Sequence, residues 1–202
     1  VVINDRELLH FGNCNYLGLE QHPQVKEAAI RAIREEGIRL TMSRAYVSSG
    51  YYGKLEALLS EIFGGHTIVA PSSTMLHLSA IPVLIGARDA VILDHQVHAS
   101  MRQAVQYIKP MGVFVKTVRH SDFEALENSI IRMYNKYDKI WYLIDGVYSM
   151  YGDAPEMQIL IDLLDKYPKL HLYVDDAHGT SWVGQYGCGY VLNQVPLHER
   201  MM

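Results

Sequence analysis

Leu172–Gly187 reads LYVDDAHGTSWVGQYG: an apolar run stops at Asp175 and Asp176, and His178 follows in a turn bounded by glycine. Two carboxylates and an imidazole at that spacing can ligate a metal, relay a proton or shape a turn. Three other stretches place polar groups just after a short apolar run. Pro71-Ser72-Ser73-Thr74 offers hydroxyls and backbone N–H groups at the start of a helical pattern, which suits either an N-cap or an anion such as a phosphate. Asp94-His95-Gln96-Val97-His98 sets two imidazoles three residues apart, and Asp145-Gly146 is followed by Ser149. A single polar strand end means little, because loops are polar anyway; four of them suggest a site.

The elements that must hold these groups alternate along the chain. Pro23–Glu36 has Pro in its first turn, Val25, Ala29, Ala32 and Ile33 on one face and Gly37 at its end, which predicts a helix. Lys54–Phe63, closed by Gly64 and Gly65, predicts a second. Five short apolar runs then read as strands, at Thr67–Ala70, Ala90–Leu93, Val113–Val118, Ile140–Ile144 and Leu170–Val174. Helical patterns separate them at Thr74–Ile85, Val97–Ile108, Asp122–Tyr137 and Glu156–Tyr167, with Ser121 and Glu124 expected to form a capping box. This alternation predicts an α/β domain, a mostly parallel sheet with helices on both faces. Ligands of such sheets sit outside the carboxyl ends of the strands, so the four polar groups are expected to share one rim. We expect an N-terminal segment and helices over residues 1–65 and the α/β domain over 66–202.

Composition narrows the choice of partner. A formal net charge of −4 provides no basic surface for nucleic acid. No apolar run reaches the roughly 18 residues of a membrane span. Cys14 and Cys188 stand far apart in no paired motif, as expected for a reducing, cytoplasmic setting.

Two chemistries use the rim. In a metal-dependent hydrolase, His95, His98, Asp175 and His178 would be ligands. In a pyridoxal 5'-phosphate site, a carboxylate keeps the pyridine nitrogen protonated, one imidazole stacks on the ring, a second meets its phenolic oxygen, and a helix N-terminus takes the phosphate. The second gives every group separate work, whereas the first leaves the Ser/Thr cluster unused.

The segments GNCNYLGL, SRAYVSSG, DHQVHAS, DGVYSMYGDAP and YVDDAHGTSWVGQYGCG, in that order, resemble the α-oxoamine synthases, fold-type-I pyridoxal phosphate enzymes. That resemblance implies a PLP-dependent transferase large domain which joins an amino acid to an acyl thioester and works as a homodimer; an aminotransferase on the same fold is the nearest alternative. It implies Asp175 as partner of the pyridinium nitrogen, His178 at the phenolic oxygen, His98 stacked on the ring and Ser149 near the oxygen edge. It further implies Ser73, Thr74 and Met75 around the phosphate and ring edge, and Asn15 near the substrate. The sequence departs from the family at Asp145, where Glu is frequent, at Thr74 and Met75, which replace Gly and an aromatic residue, and at Tyr52, where His is frequent. The family's Schiff-base lysine lies beyond the aspartate, and none of Lys26, Lys54, Lys109, Lys116, Lys136, Lys139, Lys166 and Lys169 has that context. The abrupt start and end are expected to mark a piece of a longer protein, inactive alone, with the lysine following Met202; a lysine-less, non-catalytic module is the alternative.

Overall fold

The structure is a computed structural model that describes residues 1–38 and 43–202. The chain divides into two compact units, Val1–Leu55 and Glu56–Met202. In the first, Val2–Ile3 (β1) and Arg6–Glu7 (β2) pair antiparallel. Asn4 and Asp5 connect them at φ 49 and 59, the left-handed conformation that tight hairpin turns require. Pro23–Glu36 (α1) begins on Pro23, whose fixed φ suits a first turn, and stops at Gly37. Tyr51 donates to Glu35 at 2.7 Å. Gly50–Phe63 (α2) starts earlier than the expected Lys54, and the division between the units falls inside it.

The second unit is a four-stranded sheet in the order β4-β3-β5-β6. Its strands are Ala90–Asp94 (β3), Phe114–Val118 (β4), Ile140–Asp145 (β5) and Leu170–Asp175 (β6), all parallel, with Asp145 opposite Asp175 in register. Both faces are covered, which is why the central strands AVILD and IWYLID are apolar almost throughout. Side chains alternate between the faces. Val91, Leu93, Trp141, Leu143 and Tyr173 pack toward Ser73–Leu84 (α3) and Ala99–Ile108 (α4). Ile92, Ile140, Tyr142, Leu170 and Leu172 pack toward Phe123–Met133 (α5), Met157–Lys166 (α6) and Tyr190–Gln194 (α7). Beyond β6, Met201 bridges Leu172 in parallel, and the Met202 carbonyl accepts from the Val174 N–H at 2.7 Å.

Two expectations are corrected. Thr67–Ala70 is not a strand: Ser60 Oγ takes the Thr67 N–H at 3.2 Å and Glu56 Oε1 takes that of Val69 at 2.9 Å, so α2 side chains satisfy donors that a sheet would have used. The N-cap of α5 is Asp122, not Ser121. Asp122 Oδ1 accepts the Ala125 N–H at 2.8 Å, while Ser121 sits at φ 55 with its own N–H given to Asp94. Asp122→Ala is therefore expected to lower stability by about 1 kcal/mol in urea denaturation, with Ser121→Ala costing less.

Candidate active site

β6 brings the central acid to the rim. Tyr173 faces α3, and two residues on, Asp175 faces the same way, its side chain 10% exposed. α3 meets it with His77, one turn into the helix and 3% exposed. His77 Nε2 lies 2.9 Å from Asp175 Oδ2, and Nδ1 lies 2.8 Å from the Tyr173 hydroxyl. If Nε2 carries the proton, it donates to the carboxylate while the tyrosine donates to Nδ1, so a neutral imidazole completes the chain. Burial works to raise the Asp175 carboxyl. The His77 hydrogen bond and the Ala177 N–H at 3.0 Å, with a smaller contribution from His98, outweigh it and hold the group below the usual carboxylate range. Burial also pushes the Tyr173 hydroxyl up to about 12, so it stays a donor.

Sequence pattern alone places His77 within an apolar helix and assigns it no role. The signal was there: it is one of the few polar residues in STMLHLSAIPVL. His77→Leu is expected to cost about 3 kcal/mol, because it strands a buried carboxylate and a buried hydroxyl together. His77→Gln, which keeps a donor toward Asp175, is expected to recover part of that loss in the same denaturation experiment.

The other groups arrive from neighbouring strand ends. His98 is the N-cap of α4: its Nδ1 pairs with Ser100 Oγ at 2.6 Å and accepts the Ser100 N–H, and the residue is exposed. Its backbone N–H donates to both oxygens of Asp145, each at 3.2 Å. Asp145 thus fixes the turn that presents His98. Burial pushes Asp145 up to about 7, against the His98 N–H, with Asp175 and Asp94 adding repulsion. A carboxyl raised on folding stabilises the fold fully below about pH 4, and that contribution is lost as pH rises through about 7. Asp145→Asn is therefore expected to narrow the difference in stability between about pH 4.5 and about pH 7.5 in ligand-free protein, measured by urea midpoints at both.

At the start of α3, Ser72 is the N-cap and takes the Met75 N–H at 3.2 Å. Ser73 and Met75 are exposed and Thr74 is half-buried. Ser73, His77, Asp175 and Asp176 share the wall of a cleft of about 500 Å³. His178 is half-buried in the turn after β6, where the Asp176 carbonyl accepts the N–H groups of Gly179 and Thr180. Ser149 is exposed in the loop after β5. Asn15 belongs to the first unit, where its N–H donates to Asn13 Oδ1.

Not every polar strand end joins this group. Asp94 alternates onto the opposite face of the sheet, where it meets His120 and Tyr142. His95, His98, Asp175 and His178 form no cluster able to hold a metal ion; among the described residues there is no such group of three. Asp176 turns away from Asp175 and accepts the Val191 N–H at 3.0 Å, tying the end of β6 to α7. Burial pushes it up to about 6 despite N–H donors from Val191 and Tyr190. Several lysines face other partners: Lys109 reaches Gln106, Lys116 reaches Ser129, Lys166 reaches Glu127, and Lys169 reaches the carbonyls of Tyr134 and Tyr137.

The donor set fits pyridoxal phosphate. An ionised carboxylate in a sheltered position answers a ring cation, an exposed imidazole offers a flat face, and a hydroxyl-rich helix start answers a phosphate.

Comparison with known proteins agrees with that chemistry. The chain is 34% identical over 195 residues to an 8-amino-7-oxononanoate synthase of Coprothermobacter proteolyticus, covering 95% of this chain and 48% of that protein. It is 31% identical over 191 residues to a serine palmitoyltransferase of Bacteriovorax stolpii, covering 94% and 44%. The solved serine palmitoyltransferase of Sphingomonas wittichii superposes with a TM-score of 0.85 at 30% identity, over 96% of this chain and 47% of that one. A serine palmitoyltransferase structure with a PLP internal aldimine gives 0.87 at 26% identity, over 99% and 49%. Both activities are of the α-oxoamine synthase type that the sequence resembles, and the chain spans about half the length of the relatives it matches. The model of aminotransferase class I and II matches residues 6–193, so this chain belongs to that family.

Proposed function

We propose that the rim of the second unit binds pyridoxal 5'-phosphate, and that the whole protein uses it to condense an amino acid with an acyl thioester. The observation that carries this reading is the state of Asp175: a sheltered carboxylate, kept ionised by His77, at the carboxyl end of a parallel strand. Bound there, the cofactor supplies an electron sink for negative charge developing at the α-carbon of an amino acid.

The chain's own residues prepare that sink. Asp175 holds the proton on the ring nitrogen by charge and hydrogen bond, at a place where water competes poorly. His77 and Tyr173 fix the direction of the carboxylate and resist its protonation. His98 offers its exposed ring as a lid, held in register by Asp145. Ser73 and Thr74, with Met75 beside them, receive the phosphate at the start of α3, where the helix dipole favours an anion. His178 and Ser149 serve the oxygen edge. A homodimer through the tyrosine-rich stretch Tyr46–Tyr52 and a cytoplasmic setting, suited to the two free cysteines, complete the reading.

The test is to add pyridoxal phosphate to full-length protein, follow binding by absorbance, then supply amino acids with an acyl thioester and measure free thiol. Binding with thiol release that depends on the amino acid is the expected result. Keto acid release without thioester consumption would move the protein to the aminotransferases. No cofactor binding would overturn the reading.

A further inference from the structure

A second polar cluster occupies the same rim on the other face of the sheet. Its centre is His120, in the turn between β4 and α5. Nδ1 lies 3.0 Å from Asp94 Oδ1 at the end of β3, and Nε2 lies 3.0 Å from Asp153 Oδ2 in the loop after β5. A neutral imidazole has one N–H, so it satisfies one of these carboxylates and sets a lone pair against the other. Only the imidazolium donates to both. Asp94, 1% exposed, also receives the Gln96 N–H at 2.7 Å, the Ser121 N–H at 3.1 Å and the Tyr142 hydroxyl at 3.3 Å, a set of donors that suits an anion.

The loop that Asp153 belongs to closes on itself. The Tyr148 N–H donates to the Asp153 carbonyl at 2.8 Å, and the Gly152 N–H to the Tyr148 carbonyl at 2.7 Å. The Tyr148 and Tyr151 rings stand edge-on to His120, with centroids 4.3 and 5.5 Å away. Ser149 lies inside this turn. The turn is therefore a small closed unit, and His120 joins it to the ends of β3 and β4.

We propose that His120 is a positioning residue: a charged clamp that fixes the turn carrying Ser149 to the rim while it is protonated, and frees that turn when it loses its proton. The titratable groups around the ring are Asp94 from β3, Tyr142 from β5, and Tyr148, Tyr151 and Asp153 from the loop; Asp122, nearby, is committed to capping α5. Burial pulls the His120 pKa down, but the bonds to Asp153 and Asp94 and their charges outweigh it and leave it raised. The sign follows: a histidine raised on folding contributes fully below about pH 6.5, and its contribution is lost as pH rises through its higher folded value. Tyr142 and Tyr148 are pushed up by burial and by Asp94, so they stay neutral across that window. The clamp does not depend on what the rim binds.

The test uses Asp153→Asn, since Asp153 is 49% exposed and its loss leaves the core intact. Two readouts are taken at about pH 6 and about pH 9. Nitrogen NMR of the imidazole reports its proton count, and hydrogen exchange reports protection factors for the Tyr148 and Gly152 amides. In the parent protein both His120 nitrogens are expected to be protonated at the lower pH, and the two protection factors to fall about tenfold at the higher pH, as for loss of one charged hydrogen bond. In Asp153→Asn the amides are expected to be poorly protected at both. A His120 ring with one bare nitrogen at the lower pH, or protection unchanged by pH or by the substitution, would overturn the clamp.

Discussion

Asp175→Asn is expected to weaken pyridoxal phosphate binding by about two to four powers of ten, and with it the condensation proposed for the full-length protein. The carboxamide has the size of the carboxylate and can still accept from His77, so the fold is expected to persist, with thermal stability little changed. What it lacks is charge. An uncompensated ring cation in a sheltered position costs about 3–5 kcal/mol when one partner of such a pair is removed, which sets the size of the effect. Equilibrium dialysis of cofactor against both proteins measures it. Equal affinity would mean that the ring nitrogen lies elsewhere.

The second large effect is structural, and it falls on Asp176. Three glycines surround that side chain. An added Cβ would lie 2.2 Å from Asp176 Oδ1 at Gly179, 2.3 Å from the same atom at Gly146 and 2.3 Å from Oδ2 at Gly189. At Gly179 it would also lie 2.7 Å from the Tyr190 backbone nitrogen, which cannot step aside as a flexible side chain would. Gly179→Ala is thus expected to destabilise by about 3 kcal/mol, seen as a lower urea midpoint, and to displace the turn that holds His178. Gly53→Ala is the control. It lies within α2 with nothing near its Cβ, and is expected to be neutral or stabilising by up to about 1 kcal/mol. The D-D-A-H-G segment therefore divides its labour: Asp175 faces the ligand rim, while Asp176 and Gly179 build the corner that delivers it.

Much of this was legible in the chain itself. The runs AVILD, IWYLID and LHLYVD announce buried parallel strands, because apolar residues on both faces leave no polar alternation. Helix limits at Pro23 and Gly37 follow from backbone geometry alone. The groups at Asp175 and His98 could be gathered because parallel strands put their carboxyl ends on one rim, whereas Ser73 follows no strand and reaches the cleft from the start of α3. Four things escaped, each for a physical reason. Thr67–Ala70 has the composition of a strand, but its N–H groups are captured by Ser60 and Glu56, a tertiary event that local pattern does not record. Asp94 looks equivalent to Asp145 and Asp175, yet where each strand ends in its alternation sends it to the other face. His77 lies about a hundred residues from its partner Asp175, and its polarity within an apolar helix does not say which distant group it meets. His120 escaped in the same way, because its two carboxylates come from different loops.

The most direct test of the central claim is the protonation state and contact of the cofactor's ring nitrogen. Pyridoxal phosphate labelled with ¹⁵N at that position, bound to the full-length protein, is expected to show a protonated nitrogen coupled to a carboxylate, with the signal moving to the unprotonated range in Asp175→Asn. An unprotonated nitrogen in the parent protein, or a signal indifferent to Asp175, would contradict the account.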